Sequence, residues 1–112
     1  MSVAAAWAWL AAAIVLEVCG TMSMKLSEGF SRLLPTVLIA VFYIASFSAM
    51  VMSLKRIELG VAYAVWAGIG TALIAIIGIL VFKEVATVMK MAAILLIVSG
   101  VVMLHISNGN VS

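Results

Sequence analysis

Charge is scarce in this sequence, and the scarcity decides the class of protein. Only 9% of the 112 residues are Asp, Glu, Lys or Arg, where a soluble domain carries about 25%. With 68% hydrophobic residues there is too little polar surface for a soluble fold, and the chain belongs in a membrane. The basic residues stand singly or in one pair, so no nucleic-acid partner is expected, since that needs a clustered basic face. The single cysteine, Cys19, rules out an intrachain disulfide. With no second thiol and no nearby histidine, it reads as a small apolar filler. No CxxC, HExxH, GxGxxG or P-loop pattern occurs, so nothing points to an enzyme, a metal or a cofactor. The N-terminus lacks a basic n-region and its apolar run continues for a full span; a retained first helix is expected, not a cleaved signal.

What is present divides into four apolar stretches, 4–24, 33–54, 59–82 and 85–106. Each is long enough, or nearly so, to cross a bilayer as an α-helix. The links KLSEGFSR, KRIE and KE are short, which favours antiparallel sequential neighbours. The expected fold is an all-α membrane protein, one compact domain of four transmembrane helices with both termini on the same side. Lys25, Arg32, Lys83 and Lys90 lie on one side, against Lys55 and Arg56 on the other. So small a bias hardly fixes orientation under the positive-inside rule, and insertion both ways round is expected.

Glu17 sits a little past the middle of the first stretch, with no other charge from Met1 to Met24. A charge at that depth costs roughly 2.5–3.5 kcal/mol on lenient insertion scales, so it marks a functional site by default. Ala13, Gly20 and Thr21 lie three or four residues away on the same helical face and leave room beside the carboxylate. Four short helices cannot enclose a polar, water-filled site alone. A second copy completing the wall would bring two carboxylates together at the midplane, able to hold protons or a cation in turn.

Aromatic spacing supports a lipophilic cation as the ligand. Tyr63 and Trp66 are i, i+3 on the third stretch, and Tyr43 and Phe47 are i, i+4 on the second, with Ser46 beside them. Aromatic faces attract quaternary ammonium groups, with up to ~2 kcal/mol when desolvated. Trp7 and Trp9 fit an interfacial belt, as does His105 near the end of the last stretch. Gly68 and Gly70 bracket Ile69 at mid-span, where glycines permit either a bend or close packing. Ala93 and Gly100 share a face of the fourth stretch and suit subunit association. Lys90 reads as an interfacial anchor, and the loop charges as solvated.

Together these residues resemble the small multidrug resistance transporters. EVCGTMSMKLSEGFSRLLP (17–35) is similar to that family's glutamate motif and first loop, and GVAYAVWAGIG (60–70) to its third-helix motif. The resemblance covers nearly the whole chain. It implies a multi-pass bacterial inner-membrane antiporter, working as an antiparallel homodimer that exchanges cations for protons at Glu17. By the same resemblance Ala13, Ile14, Gly20, Thr21, Tyr43, Ser46, Phe47, Tyr63 and Trp66 would line the site. Gly68–Ile69–Gly70 would be the bend, and Ala93 and Gly100 the dimer contact. Gly20 and Thr21 stand where the guanidinium-exporting branch has a tryptophan, so the quaternary-ammonium and multidrug branch is favoured. Ala93 stands where many relatives have glycine, and His105 where they often have asparagine. SLKRIELGVAYAVW (53–66) also looks like members that act as two-gene pairs, some of them polyamine exporters, so a paralogous partner subunit is the alternative. A holin-like or structural membrane protein is more distant, having no need of a mid-span glutamate.

Overall fold

In the computed structural model, residues 1–109 are described. The chain forms four helices: α1 (Val3–Leu26), α2 (Leu33–Ser53), α3 (Leu59–Leu80) and α4 (Val88–Gly109). All four are long and apolar enough to cross a membrane, and at ~1.5 Å per residue each spans a hydrocarbon core of about 30 Å. Their ends carry local signals. The Ser2 hydroxyl accepts from the Ala5 amide at 3.0 Å and caps α1. Ser27, buried at the other end, donates to the Met24 carbonyl at 2.8 Å and accepts from the Phe30 amide at 3.3 Å. Glu28, Gly29 and Phe30 then turn the chain through successive positive φ values.

The third link is longer than the sequence suggests. Helix α3 stops at Leu80 and α4 starts at Val88, in place of boundaries near 82 and 85. Lys83 adopts φ 57°, and the Glu84 amide turns back to the Gly78 carbonyl at 3.0 Å. The Thr87 hydroxyl accepts from the Lys90 amide at 3.0 Å and so caps α4. The Lys90 ammonium reaches the Val85 carbonyl at 2.5 Å, which holds its charge at the helix end.

The helices do not close into the compact bundle that short links suggest. Helix α1 packs against both α2 and α3, while α4 packs on α3. The chain is flat, 46 × 35 × 17 Å. A short link limits how far apart two helix ends lie, but it does not force the helices to pack along their length. The Leu54–Glu58 segment passes the start of α1, where the Arg56 guanidinium donates to the Met1 carbonyl at 2.7 Å. The start of α1 and the later part of α4 lie on the same side: His105 meets Trp7 edge-on, with ring centroids 5.1 Å apart.

The core lies where α1 meets its two neighbours. Ala6, Leu10, Ala13, Ile14 and Val18 of α1 are buried with Ala49 and Met50 of α2 and Val61, Ala62 and Val65 of α3. Small residues such as Ala6, Ala13 and Ala62 let the backbones approach closely, as membrane helices require. Ser46 is fully buried there, and its hydroxyl donates to the Ala13 carbonyl at 2.7 Å. Interhelical hydrogen bonds in membranes contribute about 0.6 kcal/mol on average and up to about 1.7. Ser46→Ala is therefore expected to destabilise the chain by about 1 kcal/mol, read as a lower thermal midpoint in detergent. An unchanged midpoint with weakened cation binding would instead put Ser46 in a ligand's path.

Helix α4 contributes little to this core. Ile94 is its buried residue, and Val101 and Ile97 sit over Gly68 of α3. Ala93 and Gly100 are exposed, and nothing within 4 Å would meet a side chain at Gly100.

Candidate functional site

Helix α1 carries Glu17 at the junction with α3, half-buried. Its carboxylate is held by hydroxyls. Thr21, one turn on, donates to Glu17 Oε1 at 2.9 Å. Tyr43 of α2 lies 2.7 Å from the Thr21 hydroxyl, and its own hydroxyl oxygen is 3.4 Å from the same carboxylate oxygen. With the Thr21 proton committed to Glu17, Tyr43 is the donor in its contact with Thr21. A chain Tyr43 → Thr21 → Glu17 results.

Two glycines make room for this arrangement. A Cβ on Gly20 would lie 2.9 Å from Tyr43 ring carbons and 3.3 Å from Phe42 Cβ, so the Tyr43 ring occupies the space a side chain would take. A Cβ on Gly70 would lie 3.3 Å from Glu17 Oε2, so the second carboxylate oxygen rests against bare backbone of α3. Gly68 faces the other way, toward α4. Helix α3 passes through Gly68–Ile69–Gly70 without interruption.

The carboxylate opens onto a cavity of ≈ 460 Å³. Helix α1 supplies Glu17 and Thr21, and α3 supplies Trp66, Ala67, Gly70, Thr71, Ile74 and Ala75. This is the size range of small-molecule sites, with mostly apolar walls and a few polar groups. The Trp66 indole Nε1 is buried without a hydrogen-bond partner among the described residues. Thr71 donates its own proton to the Ala67 carbonyl at 2.7 Å. An aromatic row leads away from the cavity: Trp66 to Tyr63 at 5.7 Å, Trp66 to Phe47 at 5.7 Å and Phe47 to Tyr43 at 6.2 Å. These ring contacts join α2 to α3. Phe47 and Tyr63 are exposed.

Of the residues singled out from sequence, Glu17, Thr21, Trp66 and Gly70 meet at the cavity, and Tyr43 joins them through its hydroxyl. Phe47 and Tyr63 stand behind Trp66. Ala13, Ile14 and Ser46 fall elsewhere, inside the core where α1 meets its neighbours. Gly20 supports Tyr43 from below. Sequence reasoning missed Ala67, Thr71, Ile74 and Ala75. Their signal was available, because with Gly70 they continue one helical face at spacings of three and four.

These features define a small multi-pass helical membrane protein with one carboxylate in an apolar, aromatic-walled cavity. The chain belongs to the small multidrug resistance protein family, whose sequence pattern matches residues 5–97. It is 48% identical over 100 residues to the uncharacterized membrane protein YvaE of Bacillus subtilis (strain 168), covering 89% of this chain and 84% of that one. It is 42% identical over 102 residues to the multidrug resistance protein EbrB of the same organism, covering 91% and 87%. The quaternary ammonium compound-resistance protein QacH of Staphylococcus saprophyticus is 36% identical over 97 residues, covering 87% and 91%. Members of this family are transporters and not enzymes. The chain is accordingly a multi-pass transporter of the bacterial inner membrane.

Proposed function

We propose that this transporter exports lipophilic and quaternary-ammonium cations in exchange for protons, and that Glu17 binds both. The observation that carries this reading is the Glu17 carboxylate, bonded to hydroxyls and opening onto a cavity walled by Trp66. A carboxylate in a low-dielectric site needs a counter-charge. A proton satisfies it in one state. An organic cation, its apolar body against Ile74 and its charge near the carboxylate and the Trp66 ring, satisfies it in the other. Thr21 and Tyr43 hold the carboxylate in place in both. The names of EbrB and QacH agree with substrates of this kind.

The working unit in this reading is an antiparallel homodimer with two Glu17 carboxylates sharing one site. Three features support it: the flat, open arrangement of the helices, the near-even division of basic residues between the two sides, and the exposed small-residue face of α4 at Ala93 and Gly100. Gly68–Ile69–Gly70 is the segment proposed to let α3 differ between subunits. Export by the chain expressed alone supports the homodimer, whereas export only with a paralogous partner would establish the heteromeric alternative.

Competition between proton and cation gives a pH test with a defined sign. As pH falls, protons occupy Glu17 and the apparent affinity for tetraphenylphosphonium must fall. On the acidic limb the dissociation constant is expected to rise about tenfold per pH unit if one proton is displaced, and about a hundredfold if two are. Isothermal titration of the purified protein at several pH values measures that slope. An affinity independent of pH would remove the exchange mechanism.

A further inference from the structure

A smaller cavity of ≈ 170 Å³ adjoins the first, toward the C-terminal ends of α1 and α3. Thr21 and Ile74 belong to the walls of both. The other walls bring together Lys25 from the last turn of α1 and Phe82 and Glu84 from the segment after α3. A loop glutamate beside a lysine is ordinarily a solvated charge. Glu84 is likewise exposed here, but the backbone lays it along α3 at the mouth of this cavity. The left-handed turn at Lys83 and the hydrogen bond from the Glu84 amide to the Gly78 carbonyl fold the chain back on α3. The Glu84 carboxylate then lies over Gly78, where a Cβ would collide with Oε1.

We propose that this cavity is an outer station for small organic cations, with Glu84 as counter-charge, Phe82 as aromatic wall and Lys25 as a tethered competitor. It repeats on a smaller scale the chemistry of the inner cavity, one carboxylate and one aromatic ring among apolar side chains. The difference is Lys25, which lines the same cavity and whose positive charge opposes a second one there. A cation held by Glu84 in this cavity lies beside Thr21 and Ile74, which are also walls of the Glu17 cavity. The station therefore lies on the route between the loop side and Glu17, and its two charges set how readily a cation starts along it. This inference rests on the cation-transport reading.

The test uses full-length Glu17→Gln protein, in which the inner site has lost its charge, titrated with tetramethylammonium. Backbone amide NMR signals from Gly78 to Glu84 report on the outer cavity. A saturable shift is expected. Adding Glu84→Gln should weaken it about tenfold or more, and adding Lys25→Gln should tighten it about threefold. Opposite signs are the point, because simple disruption of the loop would move both variants the same way. Absence of saturation, both variants weakening, a Lys25→Gln protein that binds no tighter, or Glu84→Gln binding as well as its parent would each overturn the station. Failure of the underlying reading shows separately, as tetraphenylphosphonium binding by the unmutated protein that is indifferent to Glu17.

Discussion

Glu17→Gln is expected to abolish proton release on cation binding and to lower affinity for tetraphenylphosphonium at least about thirtyfold. Glutamine keeps the shape and can still accept from Thr21, so the packing of α1 is left nearly intact. What disappears is the negative charge. Removing one partner of a desolvated charge pair costs about 2–5 kcal/mol, and each 1.4 kcal/mol is about tenfold in affinity. Proton release measured in weakly buffered solution during cation addition reads the first effect, and calorimetry the second. A variant that still exchanges one for the other would move the site away from Glu17. Retained thermal stability in the same sample would attribute the loss to charge and not to unfolding.

Gly20→Val is expected to have the next largest effect, and to act on stability and binding together. A Cβ at this position meets the Tyr43 ring at 2.9 Å and Phe42 Cβ at 3.3 Å. Valine adds two further methyl groups, so α1 and α2 must separate or Tyr43 must leave. Overpacking of this kind costs about 1–3 kcal/mol. Loss of the Tyr43–Thr21 hydrogen bond adds about 1 kcal/mol. A lower melting point is expected, with weakened tetraphenylphosphonium binding in the fraction that remains folded. Tyr43→Phe separates the two contributions, since it removes the hydroxyl and keeps the ring against Gly20. A Gly20→Val protein as stable as its parent would mean that the helices approach less closely than described.

The spans and the central residue were legible because each has a signal that survives without tertiary context. Runs of apolar residues of bilayer length read as helices, and a mid-span glutamate stands out by its cost. Thr21 followed from its position one turn away, and Trp66 from its depth. Ser46 and Ala13 pack together in the core, which the sequence does not show. Spacing shows that Ala13 shares a stripe with Glu17, but it does not show where α2 closes over that stripe. Ser46 does so, with a hydrogen bond to the Ala13 carbonyl that leaves no mark in the sequence. The pairing of helices was similarly hidden, because a short link is compatible with more than one side-by-side arrangement. The end of α3 leaves no mark in the sequence, because Val81, Phe82 and Val85 are apolar enough to continue a span. Lys83 in a left-handed conformation ends it earlier.

The hydroxyls around the cavity have a consequence for selectivity that follows from where their protons go. Thr21 gives its proton to Glu17, and Thr71 gives its proton to the Ala67 carbonyl. Both present lone pairs to the interior, beside a carboxylate that offers nothing else when charged. The Trp66 N–H is the donor left without a partner among the described residues. A cationic guest thus meets a carboxylate and hydroxyl lone pairs, whereas an anion or a molecule carrying only carbonyls meets no exposed donor among these groups, the Trp66 N–H being buried. Rejection of such compounds requires no steric filter, because the cavity offers them too few protons to replace the water they would leave.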